Sequence, residues 1–229
     1  MAETTLAELL ERNGRHVESL SEGYFDAVQS AQVPAAVSVC CSDSRVSQEG
    51  MWAVEEPGWL FTAGNIGNQV RERHDGEWII GGDVLYPIQY TGTDTAIVVG
   101  HTGCGAVTAA LDAVRDGAKE HPAGIQARVE SLRPIVEAGL ADSRVSEDRD
   151  VGLVDQLVEY NVDRQVGFLR TAEVVPGTET VLGFVYDFQD VYGDVPGRCY
   201  LVNNDGETDV GRLKAAVPEE FESHASRLL

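Results

Sequence analysis

Cys41, His101 and Cys104 are the side chains of this sequence best suited to share a metal ion. Thiolate and imidazole are ligands for a borderline-soft cation such as zinc. His101 and Cys104 stand three positions apart, so one turn of chain can present both to the same ion, and Cys41 lies 60 positions earlier. Three protein ligands with a fourth place left for water is the pattern of a catalytic rather than a structural zinc site. A solitary cysteine or histidine is more often a buried or surface residue than a ligand. The weight therefore falls on the three together, one zinc per chain.

Asp43 and Arg45 sit beside the first ligand in the run Cys41-Ser42-Asp43-Ser44-Arg45. On an extended segment, residues two apart point the same way. A carboxylate beside a guanidinium forms a charge-assisted pair that keeps the acid ionised. Held so, Asp43 can accept a hydrogen bond from a water at the metal. Released by Arg45, it can instead become a fourth ligand and close the site.

Both clusters need to stand at strand ends, and the sequence supplies the strands. Ala35–Cys40 reads as a buried strand leading into Cys41, and the β-branched run Thr95–Gly100 leads into His101. Gly58–Ala63, Thr178–Tyr186 and Cys199–Val202 read as further strands. Helices are expected over Trp78–Tyr90, Ala106–Arg115, Ala123–Ala138 and Ser146–Arg170. The first 30 residues carry apolar positions at helical spacing, with Gly14 expected to divide them into two helices. Strands alternating with helices predict an α/β fold around a mostly parallel sheet, where functional groups gather beyond the carboxyl ends of strands. Alternation along a strand also predicts that Cys40 faces away if Cys41 faces the metal. The organisation is read as a single domain over 1–229 with an N-terminal helical arm over about 1–30.

Composition narrows the partners. The net charge is −21, from 38 acidic and 17 basic residues, with Lys119 and Lys214 the two lysines. Such a surface repels phosphate backbones, so no nucleic-acid partner is expected. Its acidity is that of a salt-adapted, halophilic protein whose charge is screened in concentrated salt. No apolar run approaches the roughly 18–20 residues that span a bilayer. The acidic opening does not read as a signal peptide, so a cytoplasmic protein without a membrane partner is expected. The four cysteines then suggest a metal site and buried thiols, not a disulfide scaffold.

With CSDSR followed by HTGCG, the sequence resembles the β-class carbonic anhydrases over about Gln32–Gly105. The resemblance implies the β-carbonic anhydrase fold and the reversible hydration of carbon dioxide to bicarbonate and a proton. Gln32-Val33-Pro34 is similar to a segment of the family's plant-type branch, which implies that the Gln32 amide binds a substrate oxygen. It also implies pocket roles for Phe61 and Tyr86, contributed across a dimer, and for the backbone N–H of Gly103. An apolar pocket is expected to include Phe61, Tyr86 and Val70. Gly64-Asn65 departs from the family's usual Arg-Asn, and Val37-Ser38-Val39 lacks the tryptophan of the branch inhibited by bicarbonate. The resemblance further implies a homodimer or a pair of dimers.

Rival readings keep the cysteines and histidine and change their use. The same site can hydrolyse carbonyl sulfide or carbon disulfide, and a zinc ion can serve folding alone if a fourth ligand is permanent. Thiol redox chemistry is disfavoured because there is no Cys-x-x-Cys. Sequence does not single out a proton acceptor among His16, His74, His121 and His224.

Overall fold

The computed structural model describes residues 5–117, 120–172 and 180–229. The chain divides into two compact units, 1–32 and 33–229. The first unit holds α1 (Leu6–Ser19), capped by the Thr5 hydroxyl on the Glu8 N–H. Gly14 does not break it: one helix runs through that position. Leu6, Leu9, Leu10 and Val17 of α1 are exposed.

The second unit is built on a five-stranded sheet in the order β2-β1-β5-β6-β7. Its strands are β1 (Ala36–Cys41), β2 (Leu60–Asn65), β5 (Thr95–His101), β6 (Thr180–Asp187) and β7 (Arg198–Asn204). The first four pair in parallel, and β7 joins β6 antiparallel. Of the expected strand Thr178–Tyr186, Thr178 and Glu179 lie outside the described residues. Every residue of β1 is buried, as a central parallel strand covered on both faces requires. Val37, Val39 and Cys41 enter the larger core, while Ala36 and Cys40 pack on the opposite face. Cys40 therefore does point away from Cys41, as alternation demands.

Helices α4 (Gly105–Asp116), α5 (Ala123–Leu140) and α6 (Leu153–Thr171) supply buried side chains to the larger core. The approach of α6 to β5 is close. A Cβ placed on Gly100 would lie 2.8 Å from Val162 and 2.9 Å from Val158, so glycine is needed where the helix crosses. Three short elements, α2 (Gln48–Met51), α7 (Val210–Ala215) and a 3-10 turn over Glu219–His224, complete the unit. No helix among the described residues is long and apolar enough to cross a membrane.

Two elements differ from expectation. The segment expected as a helix over Trp78–Tyr90 begins as a strand. β3 (Arg71–His74) and β4 (Glu77–Ile80) form a hairpin before α3 (Gly82–Tyr90) starts. Its turn is Asp75-Gly76, both at positive φ, the pair a two-residue hairpin turn favours. Arg71 and Arg73 each lie 4.1 Å from the Trp78 ring centroid, which holds that ring on the hairpin. Likewise α6 begins at Leu153, not Ser146. The Gln156 side chain accepts the Ser146 N–H and donates to the Ser146 and Val151 carbonyls. Those bonds hold 146–151 as a loop folded against the helix start.

A buried ionic cluster ties α6 to residues 227–229. The Arg227 side chain, 2% exposed, pairs with Glu159 at 3.0 Å and Asp163 at 2.7 Å. Glu159 also accepts the Tyr192 hydroxyl and the N–H groups of Leu228 and Leu229. Removing one partner of such a cluster leaves buried charge uncompensated. Arg227→Ala is therefore expected to lower unfolding stability by about 3–5 kcal/mol. Denaturant midpoints of the two proteins check this; an unchanged midpoint would show that the cluster contributes nothing.

Candidate metal centre

β1 and β5 are parallel neighbours, Cys40 beside Val99, so Cys41 and His101 both fall at the carboxyl edge of the sheet. The turn after β5 then brings back Cys104. The ligand atoms of Cys41, His101 and Cys104 all lie within 4.8 Å of one another, and all three residues are buried. The two sulfurs are 3.8 Å apart. Among the described residues, this is the one such group of histidine, cysteine or acidic side chains.

The orientation of His101 follows from its partners. Its Nδ1 lies 2.9 Å from the Thr102 carbonyl. A carbonyl only accepts, so Nδ1 carries the hydrogen and Nε2 is left with a lone pair. Nε2 is buried without a hydrogen-bond partner. A buried imidazole lone pair beside two sulfurs is the donor set that a zinc ion satisfies. The residues present therefore fit that ion.

Thr102 is itself held. Its N–H donates to the Tyr186 carbonyl at 3.1 Å, and its hydroxyl donates to Asp187 at 3.2 Å. Asp187 also accepts the N–H groups of Gln189 and Tyr192, and the Tyr192 hydroxyl reaches Glu159. The Phe188 ring stacks on His101 with centroids 5.9 Å apart. An ordered path thus runs from the Arg227–Glu159 cluster to the His101 ring.

Each sulfur is placed by backbone. Cys41 Sγ accepts the Gly67 N–H at 3.4 Å, and the Gly67 carbonyl accepts from Asn161 at 3.1 Å. Gly67 has φ +82°, and a Cβ there would lie 2.6 Å from Leu132, so the position requires glycine. Cys104 is the N-cap residue of α4, so it stands at the positive end of the helix dipole. That favours negative charge at the helix start. The pair titrates unequally. The hydrogen bond from Cys104 holds the Cys41 thiol well below the ordinary range against the opposing effect of burial, with the Asp43 and Gly67 amides adding to it. Its bond to Cys41, then burial, drives Cys104 the other way.

Asp43 and Arg45 do pair, at 2.8 Å, and the guanidinium also donates to the Asp43 carbonyl. The geometry differs from the extended segment expected. The chain turns after Cys41, and Arg45 adopts φ +67°. Its guanidinium stands 5.0 Å from the Phe188 ring centroid. Asp43 is outside the three-ligand group, so the carboxylate is engaged by arginine. A Cβ on Gly105 would lie 3.5 Å from Asp43 Oδ2, which puts the acid over the start of α4.

A cavity of about 320 Å³ borders this arrangement. Cys41, Asp43 and Gly105 form its polar side, and Ile66, Ala109, Ile125 and Val129 are among its apolar walls. Sequence reasoning missed those walls; the i, i+4 spacing of Ile125 and Val129 was the available signal. Val70 does not line it, being fully buried in the core. Phe61 and Tyr86 pack on one another, centroids 6.0 Å apart, and are not part of this lining. Tyr86 is 53% exposed. Gln32 is the last residue of the N-terminal unit. The Gly103 N–H donates to Asp155 at 2.8 Å, so it is committed within the chain and not offered to a substrate. Asp155 was not foreseen, because it arrives from α6, 52 residues away.

Comparison with known proteins gives a consistent result. The family model described as carbonic anhydrase matches residues 36–195. A carbonic anhydrase of Pseudomonas aeruginosa is 29% identical over 170 residues, covering 72% of this chain and 74% of that protein. The Coccomyxa β-carbonic anhydrase, solved with acetazolamide, superposes with a TM-score of 0.70 at 23% identity, covering 93% of this chain and 92% of the other. A structure from a report of two tetrameric β-carbonic anhydrases of Sordaria macrospora gives 0.66 at 17% identity, covering 86% and 94%.

Proposed function

The chain belongs to the β-carbonic anhydrase family, and from that premise we propose that it hydrates carbon dioxide reversibly with one zinc ion held by Cys41 Sγ, His101 Nε2 and Cys104 Sγ. The observation that carries the reading is the buried group of two sulfurs and an imidazole nitrogen without a hydrogen-bond partner. Zinc, when bound, lowers the pKa of water from 15.7 toward about 7 and so makes hydroxide available near neutral pH.

The chain's own residues direct the attack. Asp43, ionised beside Arg45, can only accept hydrogen bonds. It takes the O–H of the attacking hydroxide and turns the oxygen lone pair toward the carbon of the substrate. Carbon dioxide has no net dipole and rests against Ile66, Ala109, Ile125 and Val129. The N–H of Gly105, in the first turn of α4 and without an intrahelical partner, takes the orienting role expected of Gly103. In the plant-type reading, the Gln32 amide binds a second oxygen, and Phe61 and Tyr86 complete the pocket of a partner subunit. Exposed Tyr86 and the exposed leucines of α1 support assembly with a second copy. Asp43, if released by Arg45, would be the nearby acid available to serve as a fourth ligand.

Zinc content measured with the hydration rate, at high and low salt, tests the reading. One zinc per chain is expected, with a rate that rises into the alkaline range because two thiolates make the bound water less acidic than three imidazoles would. The rate is expected to fall on dialysis to low salt, where 38 acidic residues lose their screening. A zinc-loaded chain that turns over carbonyl sulfide or carbon disulfide faster than carbon dioxide would overturn the substrate assignment.

A further inference from the structure

A second cavity, of about 340 Å³, is lined by Gly105, Thr108, Ala109, Asp112, Ala113 and His121. Gly105 and Ala109 also line the cavity at Cys41 and Asp43. The two spaces thus adjoin the same helix, where the small residues Gly105, Ala109 and Ala113 follow one another at i, i+4 spacing along one face of α4. From Gly105 to Ala113 the helix rises about 12 Å, at 1.5 Å per residue. That is too far for direct transfer of a proton, and Thr108 and Asp112 beside His121, with Asp43 at the other end, supply polar partners for intervening water molecules.

We propose that His121 carries protons between the metal centre and solvent. The inference rests on the carbon dioxide hydration reading and adds to it the step that the metal ligands and Asp43 leave unassigned. Each turnover converts one carbon dioxide and one water into one bicarbonate and one proton. Once bicarbonate has left, the water that replaces it must give up a proton before the next attack. That proton passes through the intervening water to the unprotonated ring nitrogen of His121. It then passes from the ring to a buffer base, returning His121 to its starting state. Imidazole is the side chain that both accepts and releases protons near neutrality.

The other histidines are placed differently. His101 is a metal ligand in this reading. His74 is exposed on the β3–β4 hairpin beside Asp75, and His224 lies 3.2 Å from the Cys199 carbonyl through Nδ1. His16 belongs to α1. None of these lines either cavity. Asp112 and Asp43 are the other titratable groups lining the two cavities that are not metal ligands, one from α4 and one from the turn after β1.

The test uses the zinc-loaded full chain and His121→Gln. Steps up to bicarbonate release set kcat/KM, whereas proton export enters kcat alone. The variant is expected to keep its zinc and its kcat/KM while kcat in weak buffer falls by about tenfold to a hundredfold, at or below the usual range for a positioned acid–base group. Added imidazole is expected to restore kcat. In the wild type, NMR signals of the His121 ring are expected to move with pH between about 5 and 9, as a proton carrier requires. A ring locked in one state across that range overturns the proposal whatever the activity. So does an unchanged kcat, or a joint loss of kcat and kcat/KM that imidazole does not repair. A wild-type zinc enzyme inactive toward carbon dioxide would instead strike the functional reading, and the ring titration would still judge His121.

Discussion

Cys41→Ser is expected to lose bound zinc and carbon dioxide hydration together. The serine hydroxyl does not ionise near neutral pH, and its oxygen is a poor substitute for thiolate on a borderline-soft ion. At this position the loss is not made good by water or a neighbour. Cys41 is 1% exposed, and the three-ligand group has no fourth side chain among the described residues. The fold is expected to persist, because serine is nearly isosteric and the Gly67 N–H that now meets Cys41 Sγ can donate to its hydroxyl. Metal analysis, circular dichroism and a hydration assay on the same preparation check all three points. Cys40→Ser is the control. Cys40 faces the opposite side of the sheet, and burial pushes its thiol up to about 11, so it contributes no thiolate to the site. Its variant is expected to hold one zinc. A Cys41→Ser protein that also holds one tightly would dismiss the ligand assignment. The thiol ligands give the pH direction. Zinc binds cysteine as thiolate, so its uptake must expel the protons that the ligand thiols carry. Affinity then weakens as pH falls, and chelators strip the ion more readily from acid solution.

The ligand set was legible because its parts are local. The runs Ala35–Cys40 and Thr95–Gly100 announce buried strands, and each ligand cluster follows one directly. Parallel pairing of β1 with β5 then brings the clusters together without further information. What sequence did not give was decided by contacts between distant residues. The Gly103 N–H looked available until Asp155 arrived from α6, and nothing in HTGCG signals that partner. Thr102 is an ordinary turn residue in sequence, and Asp187 makes it the support of His101 from 85 residues away. The start of α6 was misplaced because apolar spacing runs on through Val151, while Gln156 turns back to hold the preceding loop. The Asp75-Gly76 hairpin is a different failure. Its turn pair was in plain view, and the helical spacing that follows it masked the strand.

Asp43→Asn is expected to retain zinc and lose most turnover, by about 10²–10³ in kcat, the effect of removing one hydrogen-bonding group aimed at the reacting atoms. Retention follows from geometry: Asp43 lies outside the ligand group and is held 2.8 Å from Arg45. The loss follows from hydrogen-bond polarity. A carboxylate presents only acceptors, so a hydroxide beside it must turn its hydrogen toward Asp43 and its lone pair toward carbon. An asparagine amide presents a donor as easily as an acceptor. When the NH₂ faces the hydroxide, it binds the lone pair that should attack. Arg45 biases the choice further, because its N–H groups draw the amide oxygen to themselves and leave the NH₂ for the nucleophile. Both kcat and kcat/KM are expected to fall, which separates this variant from His121→Gln, where only kcat should. Added imidazole is expected to do nothing, since the defect is in orientation and not in proton export. Metal analysis with steady-state kinetics in matched buffers reads all of these outcomes. A zinc-replete Asp43→Asn enzyme running at the wild-type rate would remove Asp43 from the chemistry and leave its pairing with Arg45 as a feature of the turn alone.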